Sequence, residues 1–284
     1  MIYFPNAKIN IGLRILRKRP DGYHDIETLM VPIDWHDILE MVPAADDKGS
    51  FSLVGKDTLG LADSADNLVM KALRALEKHI GRALPPLDIY LSKVVPTGAG
   101  LGGGSADAAF AIKGANEIFS LGLSDEEMAA VAAKVGADCP FFIYNRPMLA
   151  QGIGEILTPV EIPELHGIDI LVVKPSAEAV STRDAYAGVK PCEHPGEPSL
   201  AEAAQASLAK WMDEGLLVND FEASIFPLRP QIERAKATML GAGAIYAAMS
   251  GSGASVFGLF SSDKMAEEAE KRFEGCDIFR GKLR

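Results

Sequence analysis

Cysteine is scarce. Only Cys139, Cys192 and Cys276 occur in 284 residues, with no C-x-x-C pair and no Cys/His cluster. That spacing argues against a disulfide framework and a zinc site, and suits a reducing cytoplasm. No apolar run approaches the length of a membrane span, and Met1 to Lys8 shows no basic segment ahead of an apolar core, so no transmembrane helix and no secretory leader are expected. Positive charge is also short: 28 Lys and Arg stand against 39 Asp and Glu, a net charge of −11. Such a balance disfavours a nucleic-acid-coating surface or a binder of anionic membranes. A small soluble substrate is the better expectation, handled by a monomer or weak homodimer. Internal repeats and low-complexity tracts are missing too.

What the chain does have is an ordinary globular composition, 48% hydrophobic and 24% charged, and enough length for one large or two medium domains. Its most informative stretch is Pro96-Thr97-Gly98-Ala99-Gly100-Leu101-Gly102-Gly103-Gly104-Ser105-Ala106. A strand-like segment precedes it (Ile89 to Val95), and Ala108, Ala111, Ile112, Ala115 and Ile118 follow at helical spacing. The glycines therefore sit in a strand-to-helix loop, where positive φ is free and backbone N–H groups can close around an anion. Ser105 is expected as the N-cap, and the helix dipole would face phosphates. No lysine follows the last glycine, so an ordinary P-loop is disfavoured. G-x-G-x-x-G is satisfied by Gly98 to Gly103, but no strand ending in an acid about 20 residues on completes a dinucleotide fold. A glycine turn without a ligand stays open as the third alternative.

Along the chain the pattern predicts strands at 7–16, 27–32, 37–42, near Phe51 and at 89–95, with helices at 67–79, after the glycines and at 124–135. Phe141-Phe142-Ile143-Tyr144 reads as a buried strand. A second section opens with a strand at 168–174. It continues with helices at about 200–214 and 226–239, strands at 244–249 and 255–260, a helix at 262–273 and a short strand at 277–280. Pro191, Pro195, Gly196 and Pro198 mark a long surface loop. Interleaving without steady βαβ repetition indicates an α+β, two-domain chain, 1–157 and 158–284, whose terminal strand is free to pack back on the first domain.

Three further segments could carry chemistry. Alternation in the first strand places Lys8 and Asn10 on one face, about 7 Å apart at roughly 3.3 Å per residue, either as a solvated face or as a polar site. Asp138, in Gly136-Ala137-Asp138-Cys139-Pro140, is pinned by proline among apolar residues; it suits general-base work, or else bonds its own turn. Ser250-Gly251-Ser252-Gly253 joins two apolar strands as a plain hairpin or as a second backbone nest.

Taken together these segments resemble the GHMP kinase superfamily, whose glycine loop is met by Pro96, Gly98, Gly100, Leu101, Gly102, Gly103, Gly104, Ser105 and Ala106. Pro5 to Leu13, Arg19-Pro20-Asp21-Gly22-Tyr23-His24, Gly136 to Phe142 and Ser250 to Ser255 narrow the resemblance to the branch acting on 4-diphosphocytidyl-2-C-methyl-D-erythritol in the non-mevalonate isoprenoid pathway. The resemblance implies a ribosomal protein S5 domain 2-like N-terminal domain and a ferredoxin-like C-terminal domain. It implies ATP and Mg²⁺ as cofactors, with transfer of the γ-phosphoryl to the C2 hydroxyl of the methylerythritol moiety. Asp138 would take the hydroxyl proton, while Lys8 orients the hydroxyl and keeps Asp138 ionised. Tyr23 and Tyr186 would stack the cytosine and His24 would read its edge, with Asn10, Thr182, Gly251, Ser252 and Gly253 also on the substrate side. Asn67 and Lys93 fall on the adenine side. Asp107, where related loops carry Asn, is expected to face away from the phosphates. No metal ligand is assigned. The competing functions are another small-alcohol kinase of the superfamily (mevalonate or homoserine), a dinucleotide-binding oxidoreductase, and an inactive nucleotide-binding regulator.

Overall fold

Thirteen residues of alternating character, Asn6–Lys18, form the long second strand, and similar patterns and caps set the rest. The computed structural model describes residues 1–55 and 66–283. Its first half runs β1 Ile2–Tyr3, β2 Asn6–Lys18, β3 His24–His36, β4 Ile38–Pro43, β5 Ser50–Gly55, α1 Leu68–Ile80, β6 Leu87–Lys93, α2 Gly103–Ile118, α3 Asp125–Ala132 and α4 Cys139–Tyr144. There follow β7 Met148–Gly152, β8 Ile156–Pro159, β9 Asp169–Pro175, α5 Thr182–Gly188, α6 Leu200–Ala203, α7 Leu208–Asp213, α8 Glu222–Ile225, α9 Pro230–Gly241, β10 Tyr246–Met249, β11 Val256–Phe260, α10 Asp263–Glu270 and β12 Cys276–Lys282. No helix among the described residues is long and apolar enough to cross a membrane.

The chain divides into two compact units that are discontinuous in sequence. The first holds Met1–Ala7, Trp35–Thr97 and Gly102–Arg146; the second holds Lys8–Asp34, Gly98–Leu101 and Pro147 onward. In the first unit the sheet order is β1-β4-β6-β5, with β5 parallel to β6 and the other pairs antiparallel. Helix α2 is buried along Ala106, Ala108, Ala109, Ala111, Ile112 and Ala115. These small side chains let it approach the sheet closely, and at Gly114 a Cβ would lie 2.8 Å from the Tyr3 ring and 2.9 Å from Met41 Sδ. A capping box between Ser124 and Glu127 starts α3, within the helix expected at 124–135. The segment 141–144, expected as a strand, is instead the helix α4. Pro140 lies in its first turn, where a missing N–H costs nothing, and four apolar residues carry no period to tell strand from helix.

The second unit has two four-stranded sheets, ordered β2-β3-β7-β8 and β10-β11-β9-β12. The terminal strand β12 pairs antiparallel with β9, in register from Cys276↔Pro175 to Lys282↔Asp169. Leu171, Val173, Ile232, Ala235, Met239, Met249, Val256 and Phe260 share the core under this sheet. The hairpin β7-β8 was not legible in the sequence. The long helix expected at 200–214 is broken into α6 and α7, and the one expected at 226–239 starts later, as α9, with Pro230 in its first turn, where proline is tolerated.

Candidate active site

In the first unit the glycine run ends at Gly102, whose φ of 71° is left-handed and which caps α2 with no side-chain hydrogen bond. Ser105, expected as the cap, therefore lies inside the first turn. A glycine cap leaves the first N–H groups of a sixteen-residue helix without a side-chain acceptor, which is the requirement for holding an anion there. Asn67 caps α1, its Oδ1 accepting Val69 N–H at 2.9 Å.

Lys93 is enclosed rather than open. Its ammonium donates to Asp37 Oδ2 and, at 2.7 Å, to Asp107 Oδ2, all three side chains being buried. Asp107 is thus turned toward the buried Lys93 ammonium. Asp37 Oδ1 also accepts Val94 N–H at 2.6 Å and Val95 N–H at 2.8 Å, fixing the chain as it leaves β6. Burial raises the Asp107 carboxyl to about 7, Lys93 pulling it down and Asp37 pushing it up. Lys93, which burial would lower, is held above its usual value by Asp107 and Asp37.

Asp138 stands at the N-cap position of α4 and makes no side-chain cap bond to it. Cys139, next along, is buried inside the fold, which pushes its thiol up to about 12 and leaves it unreactive.

In the second unit the polar face of β2 is not solvated: Lys8 is 3% exposed and Asn10 2%. Lys8 Nζ donates to Asn10 Oδ1 at 2.5 Å and to Gly100 O at 3.1 Å. Asn10 Nδ2 donates to Thr28 Oγ1 at 3.0 Å, and Thr28 in turn to Gly12 O at 2.7 Å. The ammonium is thus aimed by a chain of neutral groups. The predicted hairpin is present, with Met249 paired to Val256, and Ser250 Oγ donates to Gly100 O at 2.9 Å. Thr182 Oγ1 lies 3.3 Å from Ser252 Oγ, so these two expected substrate residues meet.

The ring expected to share a base with Tyr23 is otherwise engaged. Tyr186 stacks on His24 (4.9 Å between centroids, 20° between planes) and meets Phe221 edge-on at 4.9 Å. Tyr23 is 60% exposed. Burial, helped by Lys18, lowers the His24 pKa, so the imidazole is neutral near pH 7 and offers one donor and one acceptor.

Comparison with known proteins accords with this geometry. Residues 67–146 match the GHMP kinases N terminal domain, and residues 198–275 match the GHMP kinases C terminal family. A 4-diphosphocytidyl-2-C-methyl-D-erythritol kinase of Bacteroides fragilis is 48% identical over 284 residues, covering 100% of both chains. The kinase of the same name from Parabacteroides distasonis is 47% identical, again over 100% of each. The chain belongs to the 4-diphosphocytidyl-2-C-methyl-D-erythritol kinase family of GHMP kinases. A crystal structure of 4-(cytidine 5'-diphospho)-2C-methyl-D-erythritol kinase superposes with a TM-score of 0.80 at 30% identity, covering 100% of this chain and 99% of that one. Membership in the GHMP kinases makes it an ATP-using phosphotransferase of two-domain α+β architecture and removes the oxidoreductase alternative. Sequence reasoning missed Asp37, because Lys93 and the Val94 and Val95 N–H groups that it binds lie far away in the chain.

Proposed function

We propose that this chain transfers the γ-phosphoryl of Mg²⁺-bound ATP to the C2 hydroxyl of 4-diphosphocytidyl-2-C-methyl-D-erythritol. The observation that carries the reading is the glycine-capped start of α2, a ready cradle for phosphates. Pro96, Gly98, Gly100, Leu101 and Gly102 to Ala106 form the nucleotide loop, with Asn67 and Lys93 beside it on the nucleotide side. The hydroxyl oxygen attacks the γ-phosphorus, the bond from that phosphorus to the β-phosphate bridging oxygen breaks, and ADP leaves. Asp138 accepts the hydroxyl proton, and Lys8 orients the hydroxyl and offsets the growing negative charge. Among the described residues no group of three or more His, Cys, Asp or Glu is placed to hold a metal ion. When bound, Mg²⁺ would neutralise charge on the phosphates during transfer, and no protein ligand is assigned to it.

On the acceptor side the cytosine stacks between Tyr23 and Tyr186 in place of the imidazole now lying on Tyr186, and neutral His24 reads its edge. Asn10, Thr182, Gly251, Ser252 and Gly253 complete that side. ATP consumption measured with the cytidyl substrate, mevalonate and homoserine in parallel tests the assignment; a preference for either of the last two overturns it. In the same assay Asp138→Asn, which keeps shape but not basicity, is expected to lower turnover roughly 10²–10⁴-fold with ATP affinity retained. Turnover like that of the unmodified chain would remove Asp138 from the mechanism.

A further inference from the structure

The segment Asn219-Asp220-Phe221-Glu222 takes no part in the roles assigned above, yet its polar side chains are spent almost entirely on backbone elsewhere in the second unit. Asn219 is 0% exposed. An amide buried to that degree is costly unless its donors and acceptor are matched. Asn219 Nδ2 donates to Met249 O and to Gly251 O, both at 2.8 Å, and Oδ1 accepts Phe221 N–H at 3.0 Å. The two carbonyls bracket Ser250, at the start of the glycine turn. Glu222 Oε1 accepts Met249 N–H at 2.8 Å while Lys236 Nζ donates to its Oε2 at 2.6 Å.

The neighbouring bonds reach the other parts of the candidate site. Asp220 Oδ2 accepts Ile15 N–H at 2.7 Å, and its own N–H donates to Leu13 O at 2.8 Å, so the segment is laced to β2, the strand that carries Lys8 and Asn10. Phe221 supports Tyr186 edge-on. The turn held by Asn219 in turn holds the first half of the glycine run: Ser250 Oγ donates to Gly100 O, and Ser255 N–H donates to Ala99 O at 3.1 Å. Gly100 O is also an acceptor of Lys8 Nζ.

We propose that Asn219 is a positioning residue for phosphoryl transfer, acting through the Ser250–Gly253 turn to set Gly100 and the Lys8 ammonium in register. This rests on the kinase reading above. Only an amide of this length fits the task. Aspartate would turn an acceptor toward two carbonyls, and alanine would leave both carbonyls without their donor. Displacement of a reacting group by about 1 Å can cost roughly a hundredfold in rate.

The test compares Asn219→Asp, Asn219→Ala and Asn219→Ser with the unmodified chain, so that one poorly folding variant does not leave the question open. In the folded variants kcat is expected to fall about 10- to 100-fold, more than KM for ATP rises. Amide hydrogen exchange over residues 250–255 should speed up, with β9 and β12 unchanged. Unaltered kinetics in a folded variant overturns the proposal. So does exchange that rises across the whole sheet while activity per folded molecule, measured well below the melting temperature, stays normal, since that pattern marks a purely structural amide. If the unmodified chain does not phosphorylate the cytidyl substrate, the proposed function fails separately. The local exchange result still decides whether Asn219 holds the turn.

Discussion

At the scale of single residues the unusual feature is one buried ammonium shared by two buried carboxylates. Lys93 can neutralise either Asp37 or Asp107 but not both, so the cluster keeps a net negative charge when both are ionised, and Asp107 Oδ1 is buried without a hydrogen-bond partner. Burial therefore wins over the ion pair at Asp107, and its carboxyl rises from 3.8 to about 7. Between those two values the folded chain keeps a proton that the unfolded chain has released, so stability falls as pH rises through the window and levels off above it. Asp107→Asn removes this term and leaves the Asp37–Lys93 pair balanced. Urea unfolding at pH 4 to 8 should show the variant gaining stability relative to the unmodified chain as pH rises, by at least about 1 kcal/mol, given about 1.4 kcal/mol per pH unit of displacement. Parallel stability curves would mean that Asp107 is ionised throughout.

At the scale of elements the glycine run separates two kinds of need for glycine. Gly98 has φ 61° and no atom within 4 Å of where a Cβ would be, whereas at Gly100 (φ 75°) a Cβ would sit 2.0 Å from Ser250 O. Gly98→Ala should cost only the left-handed penalty of about 1–2 kcal/mol. Gly100→Ala must also push the 250–253 turn aside, and KM for ATP should rise at least tenfold beyond any effect at Gly98. Equal effects in the two variants, read from melting temperature and ATP titration, would show that backbone conformation alone matters. The same run shows what local pattern can and cannot tell. Five glycines before an alanine-rich period mark a strand-to-helix loop, but a glycine cap carries no side-chain signal, so Ser105 is the obvious and mistaken choice of N-cap. Ser124 with Glu127 is readable because both partners of the box lie within one turn. Alternation in β2 shows that Lys8 and Asn10 share a face, but whether that face meets water depends on Gly100 and Thr28, which the local pattern does not bring near. Asp37 and Asn219 are hidden for the same reason: Asp37 binds Lys93 and the N–H groups after it, and Asn219 binds Met249 O and Gly251 O, all remote in sequence.

At the scale of the whole molecule, the GHMP kinase fold does not by itself choose an acceptor. That choice must come from side chains, and the proposed function gives it to the rings of Tyr23 and Tyr186. In the structure His24 already covers one face of Tyr186, and Phe221 braces the ring edge-on. A stacked cytosine exchanges one flat partner for another, so binding need not create a new aromatic surface. Replacing Tyr186 by Ala should remove stacking worth about 1–3 kcal/mol and raise KM for the cytidyl substrate roughly 5- to 150-fold. Tyr186→Phe should recover most of it, because the π-face remains and only the hydroxyl is lost. Tyr23→Ala should behave like Tyr186→Ala, though its exposure means that its loss leaves the melting temperature unchanged. KM for ATP should hardly move in any of the three. Measuring both KM values in each variant decides the matter. Equal losses for ATP and acceptor would reduce the rings to fold support, and no loss for the acceptor would mean that the base is recognised elsewhere.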